Sequence, residues 1–139
     1  MEGKPPAPVC QSFLVCRQIF QDQGTQEIII IGPAYQIIAM QFPVVGQLSV
    51  YARVTSLHGI YLLEAQLRDF EGAVLWRHRF ENPLDCRDPL AVTNITLRDL
   101  RVSFPAPGKY EFVLMANDAD VARDVFSAQV PNLQSNPST

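Results

Sequence analysis

Phe104-Pro-Ala-Pro-Gly-Lys-Tyr-Glu-Phe-Val-Leu114 decides the fold, because it joins two alternating runs through a stiff reversal. Pro107 presets the dihedral of a turn's second residue, and Gly108 can take the positive φ that a type II turn needs next. Ala106 to Lys109 is therefore expected to reverse the chain sharply. Beyond it Tyr110, Phe112 and Leu114 alternate with Glu111, Val113 and Met115; before it Leu100, Val102 and Phe104 alternate with Asp99, Arg101 and Ser103. A period of two belongs to a strand with one face in a core. The two runs are expected to lie side by side as one anchored strand pair.

The same period extends upstream. Leu48, Val50, Ala52 and Val54 alternate with polar or bulkier neighbours, Ser56 to Gly59 closes that strand, and Tyr61, Leu63, Ala65 and Leu67 begin another. Asp69-Phe-Glu-Gly72 has the length and the glycine of a hairpin connection, leading to Val74, Trp76, His78 and Phe80 on one face. These three strands read as a meander. Ile95 and Leu97 run out of phase with Leu100, Val102 and Phe104, which predicts a bulge or break at Arg98-Asp99.

Towards the ends, Phe13 to Phe20 reads as a first strand and Phe126, Ala128 and Val130 as the last, with Asn117-Asp-Ala-Asp120 as a turn. Ile28 to Ile31 is a β-branched run halted by Gly32-Pro33, too short for a helix. It is expected to be buried on both faces or to meet a partner with its outer face. Tyr35 to Phe42 is extended and apolar, and Glu81 to Pro89 reads as a long loop. The sum is an all-β fold, a two-sheet antiparallel β-sandwich of about eight or nine strands, with Trp76, Tyr110 and Phe112 filling the space between the sheets. One domain over residues 12–131 is expected between a flexible proline-rich arm, 1–11, and a disordered polar tail, 132–139.

A chain of 139 residues, 47% hydrophobic and 18% charged, suits a single globular domain that needs no metal or disulfide support. Its net charge of −3 with scattered basic residues argues against nucleic acid as a partner. Arg77, His78 and Arg79 make the densest positive run, and in a strand the arginines point away from the histidine, giving a solvated face. The start has no apolar leader and no stretch is long enough to span a membrane, so no membrane role and a cytoplasmic location are expected. Cys10, Cys16 and Cys86 are odd in number and without CxxC spacing, which points to free thiols rather than a disulfide framework or zinc site.

Candidate chemistry is thin. His58 precedes Gly59 as a turn residue, and His78 shares the Trp76 face. Cys86 with His78, steadied by Asp85 or Asp88, is the one nucleophile and base combination on offer, the remote reading of a cysteine-dependent hydrolase. Asn117, Asp118 and Asp120 could suggest a calcium loop, but they lack the remaining ligands and are what a turn needs. Tyr51, Tyr61 and the Glu81–Pro89 loop would serve a small-ligand or carbohydrate-binding domain. No catalytic, cofactor-binding or metal residue is assigned, and no cofactor is expected. More apolar residues fall on Ile28–Ile31, Tyr35–Met40, Leu62, Leu75, Val113 and Met115 than one inward face can use. The leading expectation is a non-enzymatic interaction module acting on a protein partner or by self-association, a homodimer included.

The run Pro107-Gly-Lys-Tyr-Glu-Phe112 resembles the Gly-x-Tyr-x-hydrophobic start of a late strand in immunoglobulin-like and fibronectin-like sandwiches, where the tyrosine anchors a corner. It departs from true immunoglobulin domains in having Phe112 where a cysteine would stand, so the resemblance implies no inter-sheet disulfide. Phe13-Leu-Val-Cys16, Phe42-Pro43, Asp69-Phe-Glu-Gly72 and Phe104-Pro-Ala-Pro-Gly-Lys-Tyr110 together are similar to an uncharacterised bacterial family of small β-sandwich proteins. That resemblance covers roughly residues 12–130 and implies a fold, with no activity, cofactor or site.

Overall fold

A computed structural model describes residues 5–131. The strands, in order, are β1 (Val9–Gln21), β2 (Ile28–Pro33), β3 (Gln36–Ile38), β4 (Val44–Thr55), β5 (Gly59–Tyr61) and β6 (Leu63–Asp69). They continue as β7 (Val74–Arg79), β8 (Leu84–Cys86), β9 (Thr93–Phe104), β10 (Gly108–Ala116) and β11 (Ala119–Gln129). The fold is all-β, with eleven strands among the described residues rather than eight or nine. One sheet has the order β2-β1-β4-β9, a second β3-β11-β10-β6-β7, and β5 pairs with β8 in a small third sheet. Every pairing is antiparallel except β3 with β11, which is parallel.

The two larger sheets pack on each other through two apolar clusters. In the larger, Val15, Leu48, Val50, Leu97, Leu100, Val102 and Phe104 of the first sheet meet Ala65, Leu67, Tyr110, Phe112, Phe126 and Ala128 of the second. Phe126 stacks on Phe104 at 5.4 Å between centroids and meets Phe112 edge-on at 5.5 Å. Burial of such aromatic area is the main force holding one sheet on the other. Gly46 sits in this layer because Ile37 of the opposite sheet reaches over it; a Cβ there would lie 2.9 Å from Ile37 Cδ1.

The pairing differs from the expected one at the stretch that decides the fold. β9 and β10 do not lie side by side: β9 pairs with β4 in the first sheet, β10 with β6 and β11 in the second. Gly108 does take a positive φ, 152°, but Phe104 to Gly108 is a crossing between sheets and not a hairpin. The expected meander is likewise split, since β4 belongs to the first sheet and only β6 and β7 form a hairpin. There Asp69 Oδ1 accepts from the Glu71 and Ala73 N–H groups, and Gly72 takes φ 92°.

The predicted irregularity at Arg98-Asp99 is present. Leu48 pairs with Leu100 and Val50 with Leu97, so two residues oppose Ser49, and Asp99 adopts φ 56°. The Ser49 hydroxyl accepts from the Asp99 N–H at 3.3 Å. Three boundaries move. β1 opens at Val9, inside the stretch assigned to a loose arm; β8 lies inside the Glu81–Pro89 loop; and Tyr35–Phe42 contributes only the short β3. The expected tail, 132–139, lies outside the described residues.

Candidate functional site

Ile28–Met40 crosses from the edge of one sheet to the edge of the other. β2 is the outer strand of the first sheet, β3 that of the second, and Ala34, buried between them, donates its N–H to the Val15 carbonyl at 2.9 Å. The run was expected to be covered on both faces or to present its outer face. The structure resolves this: Ile29 and Ile31 are 44% and 47% exposed, and Tyr35, Ile38 and Met40 more so. Phe20, opposite Ile29 in the register, adds a third exposed apolar side chain on the same face of the β1–β2 ribbon. Of the other residues placed outward by alternation, Leu62 and Leu75 are exposed, Met115 is half-buried, and Val113 is fully buried between its cross-strand partners Gln66 and Arg123.

The outer face of the second sheet is polar and internally satisfied. Arg68 donates two hydrogen bonds of 2.9 Å to the Asp120 carboxylate, its Nε donates to Gln66 Oε1 at 2.8 Å, and Gln66 in turn donates to Glu64. Glu64 also receives Arg77 and Arg79, each at 3.0 Å, while Arg123 pairs with Asp120 at 2.7 Å. The Arg68 hydrogen bonds hold the Asp120 carboxyl below its usual range against the opposing effect of burial. For Glu64 burial alone would raise the value, but hydrogen bonds from Gln66 and Arg79 and the two arginine charges outweigh it. This network was invisible in the sequence, because Arg68 and Asp120 are brought together only by the sheet.

The candidate residues are dispersed. His78 stacks on Trp76 and meets Phe80 edge-on, on the inner side of β7. Cys86 sits on β8 with its thiol directed at the Asp88 carbonyl, and Asp85 pairs with Arg87 at 2.8 Å. Among the described residues no hydrogen bond joins Cys86, His78, Asp85 and Asp88 into a catalytic chain. His58 is exposed, its Nδ1 3.1 Å from the Arg87 carbonyl.

Asn117 and Asp118 take φ 49° and 66° in the tight turn between β10 and β11, the conformation of a two-residue hairpin loop. The Asn117 side chain bonds the Leu62 N–H and the Ile60 carbonyl, and Asp120 is held by its arginines. Among the described residues no three His, Cys, Asp or Glu side chains form a metal ligand set. All three cysteines are free, and burial raises the thiols of Cys10 and Cys16 above their ordinary value.

Tyr51 and Tyr61 do not share a site. Tyr51, on the outer side of β4, bonds Asn94 at 2.7 Å, whereas Tyr61 is buried. Its hydroxyl donates to the Pro6 carbonyl at 2.8 Å and accepts from the His58 N–H at 3.0 Å. That contact lays Pro5–Pro8 beside the β10–β11 turn, enclosing a groove of about 500 Å³. One group the sequence could have disclosed is Asp124, which shares the inward period of Ala122, Phe126 and Ala128. Burial pushes its pKa up, outweighing the lowering influence of the nearby Val15 and Val125 backbone N–H groups.

Among the described residues no helix is long and apolar enough to cross a membrane. No curated protein matches the chain. One family does, over residues 11–127, which is most of the chain and nearly all of the two packed sheets, and it is described as a family of unknown function, DUF6941. The chain belongs to that family.

Proposed function

We propose that this protein is a non-enzymatic β-sandwich module of immunoglobulin-like topology, working through protein–protein contacts in the bacterial cytoplasm. The topological part of the reading rests on strand order. β1, β4 and β9 form one sheet and β11, β10, β6 and β7 the other, the connection from β9 to β10 crosses between them, and β3 runs parallel to β11. Tyr110 at the start of β10 bonds back to Ala106, the arrangement of a tyrosine corner.

The observation that carries the functional part is the Ile28–Met40 segment. It presents Ile29, Ile31, Tyr35, Ile38 and Met40 to solvent beside the outer edges of both sheets. Apolar side chains concentrated in this way beside unpaired backbone are what strand addition by a partner uses. A small-ligand or carbohydrate reading has less support, since Tyr51 and Tyr61 are apart and the Tyr61 hydroxyl is already engaged.

Photo-crosslinking residues placed at Ile29 and Ile38 in the native cell test the proposal, with Arg101 on the exposed side of β9 as control. Discrete protein adducts at the first two and not at the third are expected. No adduct at either position would sink it.

A further inference from the structure

We propose that β2 pairs antiparallel with β2 of a second copy, joining two four-stranded sheets into one continuous sheet. This rests on the interaction reading above and names its partner as the chain itself. The other sheet edges are guarded. On β7 Arg77 and Arg79 are exposed and held by Glu64; β9 carries Arg98, Arg101 and the Arg98-Asp99 bulge; β3 is only three residues long. These are the devices by which natural sheets prevent edge-to-edge contact.

β2 has six residues, no charged side chain, and breakers only at its last two positions, Gly32 and Pro33. Among the described residues its one substantial neighbour is β1, and a two-stranded ribbon is marginal in water unless more strands are added. Among the described residues the β2 edge is therefore both open and in need of a further strand.

Two features select a second copy. Four successive isoleucines present the same side chain in any register, so a two-fold axis through Ile30 sets Ile29 of one copy opposite Ile31 of the other on a shared face. Charge sets the direction. Asp22 and Glu27 lie at the turn end of the ribbon, while Arg17 lies against Gly32 at the far end, and neither Glu27 nor Arg17 has an ion-pair partner among the described residues. Antiparallel pairing brings the acidic end of each copy to the basic end of the other. Parallel pairing would bring like to like. The exposed apolar area of Phe20, Ile29 and Ile31 is smaller than the roughly 800 Å² per partner of a standard interface, so the contact is reversible.

Sedimentation velocity of the full chain at low salt, from about 1 to about 200 micromolar, tests this. A concentration-dependent monomer–dimer equilibrium is expected, abolished by Ile29→Lys with Ile31→Lys and retained by Leu75→Lys on the β7 edge. Glu27→Arg should weaken association about tenfold, and adding Arg17→Glu should restore it. Near-UV circular dichroism and an unchanged melting temperature confirm that the variants fold. Association untouched by the paired lysines overturns the proposal, as does a monomer throughout. If that monomer still yields the Ile29 adduct with a different protein in cells, self-pairing falls and the interaction reading stands; with no adduct, both fall.

Discussion

Tyr110 ties the start of β10 to the bend that leaves β9: its hydroxyl donates to the Ala106 carbonyl and lies 3.4 Å from the Ala106 N–H. Its ring, 4% exposed, meets Phe104 edge-on at 5.3 Å. One side chain thus serves the core and the crossing between sheets, and two substitutions separate the roles. Tyr110→Phe removes only the hydroxyl; because Ala106 is exposed, water takes its place, and the expected cost is about 1 kcal/mol. Tyr110→Ala also empties a core position and should cost about 3–5 kcal/mol. Urea unfolding of both measures the split, and equal losses would show that the ring contributes nothing beyond its hydroxyl.

Trp76 was expected to be a core residue of the same weight. It lies instead on edge strand β7, half-buried, with its ring 6.5 Å from Phe112. Trp76→Ala should therefore cost less than Tyr110→Ala, about 1–3 kcal/mol, because the site opens to water and leaves no closed cavity. The same urea series checks it, and the reverse order would refute it.

The alternation of β4, β9 and β10 made their inward residues legible, and a break in its phase located the bulge at Arg98-Asp99. Apart from the pairs joined by the Asp69–Gly72 and Asn117–Asp120 turns, which strands pair was not legible. Pro107 and Gly108 announce a reversal, yet a reversal serves equally for a hairpin within one sheet and a crossing to another; only the packing of Phe104 on Phe126 distinguishes them. β5 and β8 escaped notice because three residues are too few to display a period. Val113 was placed outward by its neighbours, and it is; the long side chains beside it on β6 and β11 account for its burial. The functional segment was legible as an excess of isoleucine, but its place at two sheet edges required the structure.

Arg68 and Asp120 should be energetically coupled. Their side chains are 17% and 26% exposed and joined by two parallel hydrogen bonds, a geometry that exceeds the usual weak surface pair. A double-mutant cycle with Arg68→Met and Asp120→Ala is expected to give a coupling of about 1 kcal/mol, reduced in high salt. Arg123→Met should have a smaller effect, since that side chain is 55% exposed. A coupling indistinguishable from zero would mean that the network is merely tolerated.

Gly32 and Gly72 both take positive φ, 69° and 92°, but they differ in their surroundings. A Cβ on Gly72 meets nothing within 4 Å, whereas one on Gly32 would come within 2.7 Å of Arg17 Cγ. Both alanine variants pay for the backbone conformation, of order 1 kcal/mol. Gly32→Ala must also displace the Arg17 stem, and should be the more destabilising of the two. Adding Arg17→Ala removes the Cγ contact but leaves the Arg17 Cβ at 3.2 Å, so it should bring Gly32→Ala most of the way down towards the Gly72→Ala level; thermal unfolding of the three variants decides it.

Asp124 and Asp120 should push the pH dependence of stability in opposite directions. The Asp120 carboxyl titrates below its ordinary value in the folded protein, because Arg68 favours the ionised form. Its stabilisation is fully present above the unfolded value and is lost as pH falls through the lower folded one. The Asp124 carboxyl is raised, chiefly by burial, so the folded state holds its proton more tightly than the unfolded state does. Between the two values the folded chain binds the extra proton, and stability falls as pH rises through the folded pKa. Ionised Asp124 is therefore a liability at neutral pH. Asp124→Asn keeps the size and shape of the side chain without the charge, and it should raise stability at about pH 7. The gain should shrink as pH falls through the raised folded value and be gone below the ordinary value of 3.8, where the wild-type carboxyl is protonated in both states. Asp120→Asn should do the reverse, losing stability at neutral pH and flattening the acid limb. Urea midpoints for the wild type and both variants between about pH 3 and about pH 7 give the two slopes, and an Asp124→Asn midpoint below wild type at pH 7 would overturn the assignment of burial as the dominant effect.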